Sequence, residues 1–378
     1  MDSYEVKDFQ AGEHPQSLTT KPRSQSRIRT LFKLTAFVGL LYLLYPSFRS
    51  LAPKHLFSGH GCHRGISSLN PSGLPTHYTL PSGDKIPSVQ LGVWKSAPNE
   101  VGTAIKAALE SGYEGIDDAW IYRNENEVGD ALKENEVARS DIWITSKLWN
   151  AFHAPEDVES AVDLTLAALQ TDYVDLYLMH WPVAFKKDQT GPDGKPVIDY
   201  ELTADPYPTW KAMEALVDKG KAKNIGVSNF NMHRLENLTA NPLKYQPAVN
   251  QVEINFWNPQ PDLLKWSQER NLLLEAYSPL GSDQQVKQSL SVPEVKKAAE
   301  ELGLTPAQII ISWIVQRGIV VLPKSVHANR VAENIGVKKL PQETFDAIEA
   351  AAAAHEPLRV VNPSKGWGLK FDVFDETV

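Results

Sequence analysis

Beyond Thr76 this chain alternates short apolar runs with amphipathic stretches, and it does so eight times. The apolar runs fall at residues 89–93, 115–117, 142–146, 174–179, 224–227, 249–252, 272–276 and 319–322. Between them, for example at residues 101–109, 161–169, 209–217, 263–269 and 306–315, apolar residues recur at the helical spacing of three and four. Strands separated by helices pair in parallel, and eight units of this spacing predict an α/β fold closed as a (β/α)8 TIM barrel. A hairpin with strands at residues 78–80 and 85–86, turning on Pro81-Ser82-Gly83-Asp84, is predicted ahead of the first unit. The competing doubly wound sheet needs a glycine-rich turn after its first strand. Here that turn reads Gly92-Val93-Trp94-Lys95-Ser96, without the G-x-G-x-x-G spacing.

The 378 residues leave a long segment ahead of this unit. Residues 1–30 are polar and aperiodic and are expected to be a disordered basic tail. Residues 31–48 are apolar, with no charge from position 34 to 45. Eighteen helical residues reach about 27 Å, close to the roughly 30 Å hydrocarbon core, so a single transmembrane helix is expected there. Lys21, Arg23, Arg27, Arg29 and Lys33 outnumber Arg49 and Lys54 on the far side, which predicts a cytosolic N-terminus. A single-pass membrane protein, with the membrane as a partner, is the resulting expectation. Residues 49–75 read as a linker. Within it His60, Cys62 and His63 have no second cluster to complete a metal site, and no metal is expected. Cys62 is the only cysteine, so no intramolecular disulfide can form.

Net charge is −8, and residues 1–75 hold nine Lys and Arg against four Asp and Glu. Residues 76–378 therefore carry −13, which excludes the basic footprint of a nucleic-acid-binding domain.

In a barrel, chemistry sits at the C-terminal ends of the strands. The second predicted strand ends at Asp117, with Tyr122 in the loop just beyond it. A free phenol titrates near ~10, so Tyr122 needs a nearby cation to become a useful acid, and a carboxylate can hold that cation. The third strand supplies Lys147 within Thr145-Ser146-Lys147-Leu148-Trp149. The fourth supplies His180 within Leu178-Met179-His180-Trp181-Pro182. A lysine after a strand is usually solvated and a lone histidine usually packs, but four such groups on three adjacent strand ends converge on one mouth.

On these residues the segment from position 76 to 378 resembles the aldo-keto reductase family, especially its fungal and plant branches. The stretch from Gly112 to Glu125 is similar to the family's first signature. Ile144-Thr145-Ser146-Lys147-Leu148-Trp149 and Leu178-Met179-His180-Trp181-Pro182 resemble the strands bearing its lysine and histidine. Ile225-Gly226-Val227-Ser228-Asn229-Phe230, Asn250-Gln251-Val252-Glu253 and Ala276-Tyr277-Ser278-Pro279-Leu280-Gly281-Ser282 follow in the family's order. Leu322-Pro323-Lys324-Ser325, with Arg330, Glu333 and Asn334, completes the set.

The resemblance implies NADPH-dependent reduction of an aldehyde or ketone. It casts Tyr122 as general acid, Lys147 paired with Asp117 as the charge that lowers the phenol's pKa, and His180 as the group orienting the carbonyl. It assigns Ser228, Asn229 and Gln251 to the nicotinamide carboxamide and Tyr277 to ring stacking. Ser278, Leu280 and Ser282 would meet the pyrophosphate, and Lys324, Ser325, Arg330, Glu333 and Asn334 the adenosine end. Lys324 and Arg330 suit a 2′-phosphate, the one as a point charge and the other as a fork. Trp94, Trp149 and Trp181 would wall a small carbonyl substrate.

Some positions depart from the family pattern. Asp118 stands where Thr is common, Glu114-Gly115 where Arg-His is usual, Arg123 where Gly is frequent, and Asn255-Phe256 where His-Pro is usual. Substrate specificity is expected in residues 183–206 and 360–378, two segments whose shape the sequence does not reveal. A second reading, from a different class, is an NADPH-binding regulatory or scaffold barrel tethered to a membrane partner.

Overall fold

A computed structural model describes residues 72–375 of the chain. Eight parallel strands follow one another around a single sheet in chain order. They are β1 (Leu91–Gly92), β2 (Gly115–Asp117), β3 (Trp143–Leu148), β4 (Val174–Met179), β5 (Ala222–Ser228), β6 (Val249–Glu253), β7 (Leu273–Tyr277) and β8 (Val320–Leu322). Parallel bridges Val89–Val321 and Gly92–Lys324 join the first strand to the last. Hydrogen bonds Gln90 N to Val321 O (3.0 Å) and Gly92 N to Pro323 O (3.1 Å) seal the same edge, and the sheet is a closed barrel.

Helices cover the outside because each presents an apolar stripe to the sheet. The helix Pro306–Gln316 illustrates how the sequence starts one. Thr305 Oγ1 accepts from the Gln308 amide, Gln308 Oε1 accepts from the Thr305 amide, and Pro306 takes the first helical position. The run of Ile309, Ile310, Ile311, Trp313, Ile314 and Val315 that follows is buried on every side, between the sheet and its neighbouring helices.

The predicted hairpin is present, with His77–Thr79 paired antiparallel to Lys85–Pro87. Its Leu80 and Ile86 pack on Trp143, Leu176, Ala248, Val249 and Val320, most of which begin their strands. The hairpin thus floors the barrel at the end opposite the chemistry. Residues 183–206, whose shape the sequence does not reveal, contain a second hairpin (Ala184–Thr190 with Pro196–Asp199) and a short helix, Tyr200–Ala204. Gly194, at φ +79, allows the turn between the two strands.

The membrane expectation is corrected. Among the described residues no helix is long and apolar enough to cross a membrane. Residues 31–48, on which the transmembrane helix was expected, lie outside the described residues, as do the tail 1–30, most of the 49–75 linker and its His60, Cys62 and His63. The single-pass location, the predicted orientation and the membrane partner are withdrawn together.

Candidate active site

Lys147 organises the mouth. It projects inward from β3 and is 1% exposed, so its ammonium must be compensated inside the protein. Nζ donates to both oxygens of Asp117 at 2.8 and 2.9 Å and to the Asp118 carbonyl at 2.9 Å. Tyr122 Oη lies 3.3 Å away, the longest of the four contacts. Asp117 closes β2, and three residues on, the turn Trp120–Tyr122 brings the phenol back over the lysine. The strand-end acid and the loop phenol therefore share one cation.

Burial lowers the proton affinity of Lys147, but Asp117 and Tyr122 more than offset it, and the net shift is upward: the lysine stays charged. Burial pushes the Tyr122 phenol up and Lys147 pulls it down, with a net rise to about 12. The phenol's net shift is upward, not downward as the sequence reading expected, although Lys147 exerts the expected downward pull. It is outweighed by burial, because Asp117 already neutralises that lysine. At neutral pH the group is a protonated phenol, the form a proton donor requires. His180 sits with its ring centroid 5.9 Å from that of Tyr122. Burial, with Lys147 adding to it, holds the imidazole well below its ordinary value, so it is neutral. Its Nδ1 is buried without a partner.

Around this centre stand the three expected tryptophans. Trp94 lies 6.4 Å from the Tyr122 ring, and Trp149 lies 5.4 Å and Trp181 6.4 Å from His180. Sequence reasoning missed the other aromatic rings packed here. Trp367, from the C-terminal tail, meets Trp149, Trp181 and Phe185 edge-on at 6.1, 5.2 and 5.1 Å. Phe374 closes on Trp181 at 6.0 Å. The signal available was the tail's aromatic content, but nothing local says which way a tail folds.

The expected cofactor residues fall on the neighbouring strand ends. Ser228 Oγ donates to the Gln251 carbonyl at 2.8 Å, and Asn229 Nδ2 donates to the His180 carbonyl at 2.9 Å. Tyr277 Oη donates to Asn229 Oδ1 at 2.7 Å. Beyond Tyr277 the backbone is left-handed at Ser278, Gly281 and Ser282 (φ +49, +90 and +54), the Gly281 amide donates to the Ser278 carbonyl at 2.9 Å, and half-buried Leu280 lies within the same loop. A Cβ on Gly281 would stand 2.5 Å from Gln285 Cβ, so this loop needs its glycine for space as well as for φ.

Lys324 and Arg330 are exposed, Ser325 and Asn334 are buried, and Glu333 is exposed on the helix Ala328–Asn334. Sequence reasoning also missed an ion pair across this region. Lys95, after β1, reaches Asp283 at 3.3 Å in the helix Ser282–Ser289, while Lys324 Nζ donates to the Lys95 carbonyl at 3.1 Å.

The departures from the family pattern have local explanations. Asp118 does not reach Lys147 with its carboxylate: Oδ1 accepts from the Ala119 amide at 2.7 Å and Oδ2 is buried unpartnered. Burial and the nearby Glu125 raise its pKa. Arg123 is left-handed at φ +62, which accounts for glycine elsewhere, and its guanidinium lies 3.8 Å from the Trp120 ring centroid. Asn255 braces a turn, its Oδ1 accepting from the Trp257 and Asn258 amides.

A closed parallel barrel with a Tyr–Lys–Asp–His cluster at its C-terminal mouth, a left-handed loop beside it and exposed cations beyond fits one class, a barrel oxidoreductase. Residues 88–353 match the model of the aldo/keto reductase family. This chain is 42% identical over 307 residues to glycerol 2-dehydrogenase (NADP(+)) of Hypocrea jecorina, covering 77% of the chain and 96% of that protein. It is 45% identical to aldo-keto reductase family 1 member A1 of Gallus gallus, covering 68% of the chain and 82% of that protein. The fold matches the aldose reductase of Schistosoma japonicum with a TM-score of 0.68 at 37% identity, covering 74% of this chain and 97% of that one. The chain belongs to the aldo/keto reductase family.

Proposed function

We propose that this protein reduces an aldehyde or ketone to an alcohol with NADPH, and that Tyr122 is the proton donor. The observation that carries this reading is one buried ammonium, Lys147, in contact with both the Asp117 carboxylate and the Tyr122 phenol. NADPH, when bound, supplies the hydride. The residues present fit it: the left-handed loop Ser278–Ser282 for a pyrophosphate, Gln251, Ser228 and Asn229 beside the mouth for a carboxamide, and the Tyr277 ring for stacking. Lys324, Ser325, Arg330, Glu333 and Asn334 would meet the adenosine end.

The chain's own part is positioning and proton transfer. The neutral His180 imidazole offers a ring nitrogen to the carbonyl oxygen and polarises it without competing for the proton. Tyr122 Oη gives its proton to the oxygen as negative charge develops there. The Lys147 ammonium stabilises the phenolate left behind, and Asp117 keeps the ammonium in place. Trp94, Trp149 and Trp181 present apolar surface that excludes water and fits the carbon skeleton of a small carbonyl compound. A catalytic unit spanning residues 76–378 accommodates all of these groups. The scaffold alternative gains nothing from a proton donor, its cation and an orienting imidazole gathered at one point.

The test is NADPH consumption by the full chain over a panel of aldehydes and ketones, beside Tyr122→Phe. Phenylalanine keeps the ring and removes the proton, so turnover should fall by roughly 10²–10⁴-fold, the usual weight of general acid catalysis, while NADPH still quenches tryptophan fluorescence. Turnover that survives the substitution would reject Tyr122 as the acid.

A further inference from the structure

The barrel interior just below the mouth is polar, where such barrels ordinarily stack branched apolar side chains. Gln251 on β6 and Glu275 on β7 are register partners, and both are buried. Gln251 Nε2 donates to Glu275 Oε2 at 2.9 Å and, across the barrel, to Asp117 Oδ1 at 2.7 Å. Both protons of one amide are therefore committed to two carboxyl groups. On its other side Glu275 Oε1 accepts from Gln90 Nε2 at 3.3 Å. Gln90 has room only because position 115 is glycine: a Cβ there would lie 2.6 Å from Gln90 Cγ. The unusual Gly115 thus belongs to the same arrangement as the glutamate. An unbroken chain of contacts runs Gln90–Glu275–Gln251–Asp117–Lys147–Tyr122.

Glu275 has no cation of its own, since both of its hydrogen-bond partners are neutral amides. The charged groups that face it are Asp117 from β2 and Lys147 from β3, and Lys147 is already bound bidentately to Asp117. Burial, with the Asp117 charge adding to it, pushes this carboxyl from its ordinary 4.5 to about 8. A protonated carboxyl needs an acceptor, and Gln90 Oε1 is an acceptor buried without a donor. A half-turn of the Gln90 amide would exchange its oxygen for its nitrogen and give Glu275 that acceptor. Both protonation states can therefore be hydrogen-bonded in place.

We propose that Glu275 is a positioning residue for the proton donor, acting through Gln251 to hold Asp117 in its grip on Lys147 and passing its own charge state along that chain to Tyr122. The proposal rests on Tyr122 being the acid. With Glu275 neutral, the ammonium faces one carboxylate and stabilises the phenolate fully. With Glu275 ionised, a second negative charge near Lys147 makes the phenolate harder to form, and reduction slows.

The experiment measures kcat for carbonyl reduction by the full-length protein from pH 6 to 10, with Glu275→Gln, Glu275→Ala and Tyr122→Phe alongside. Wild type should lose several-fold in kcat through an inflection near pH 8. Glu275→Gln should match wild type within about threefold at pH 7, since its amide keeps the bond to Gln251, and should lack the inflection. Glu275→Ala leaves Gln251 and Asp117 free to shift, and should cost tenfold or more at pH 7, on the scale of a small misplacement of catalytic groups. Rescue by glutamine but not alanine is a result that mere loss of packing would not produce. The proposal is overturned if wild type has no inflection near pH 8, if Glu275→Gln retains it, or if Glu275→Ala turns over like wild type. Should Glu275→Ala fail to fold, the glutamine variant decides alone. Turnover by Tyr122→Phe would instead strike at the proton-donor reading itself.

Discussion

A carboxyl that keeps its proton when folded must surrender it on unfolding, so Glu275 ties stability to pH in a direction opposite to most acids. Its folded value, about 8, lies above its ordinary 4.5. Between those two values the folded state binds one more proton than the unfolded chain, and stability falls as pH rises. Below pH 4.5 and above pH 8 this group contributes no further slope. Glutamine carries no proton to lose. We therefore expect Glu275→Gln to gain on wild type by roughly 2–4 kcal/mol between pH 5 and pH 8 in urea unfolding, somewhat less than the full ~1.4 kcal/mol per decade. Equal pH slopes for the two proteins would mean that Glu275 is ionised throughout. At this scale the sequence was legible where function concentrates at strand ends. Asp117, Tyr122, Lys147 and His180 each follow an apolar run, and their convergence needs only the barrel rule. Glu275 and Gln90 were not legible, because they lie 185 positions apart and meet only inside the closed barrel.

Elements were legible in their interiors and less so at their ends. The run at 142–146 stops short of the observed β3, which continues to Leu148, because a lysine does not look like a buried strand residue until its carboxylate partner is known. The hairpin Ala184–Thr190 with Pro196–Asp199 was missed because its strands, with Lys186, Lys187, Asp188 and Gln189 in succession, carry no apolar alternation. These elements and the C-terminal tail meet in the aromatic cluster around Trp149 and Trp181. Glu253, at the end of β6, accepts from the Val360 and Val361 amides at 2.8–3.1 Å, and Arg234 Nε donates to the Val373 carbonyl at 3.3 Å. The tail so held delivers Trp367 onto Trp149, Trp181 and Phe185. Trp367→Ala removes three edge-on ring contacts worth about 0.5–1.5 kcal/mol each and opens one side of the proposed substrate pocket, leaving Tyr122 untouched. KM for aromatic aldehydes should therefore rise about tenfold or more, while kcat for a small aliphatic aldehyde stays near wild type. Steady-state kinetics on the two substrates separate these effects. A uniform fall in kcat would mean instead that Trp367 positions the catalytic groups.

At the scale of the molecule, eight repeats of one pattern leave few alternatives to a closed barrel, and closure then brings the strand ends to one side. Electrostatics over the same surface sets a harder condition. Residues 76–378 carry −13, yet the proposed cofactor is itself an anion. Its recognition must depend on local cations against an unfavourable net field. Lys324 and Arg330 are exposed, so salt reaches them, and the Debye length of about 10 Å at 0.1 M is enough to screen a single contact from the rest of the surface. If the pair holds a 2′-phosphate, two exposed charge contacts at about 1 kcal/mol each amount to roughly thirtyfold in affinity. Replacing both with methionine should raise KM for NADPH by about that factor and leave KM for NADH unchanged. The rise of KM for NADPH between 50 and 500 mM salt should flatten in the double variant, because the contacts that salt weakens are already gone. An equal loss for NADPH and NADH would show that these cations meet a part common to both. The discrimination would then have to come from other groups, with Ser325, Glu333 and Asn334 the further residues proposed for the adenosine end.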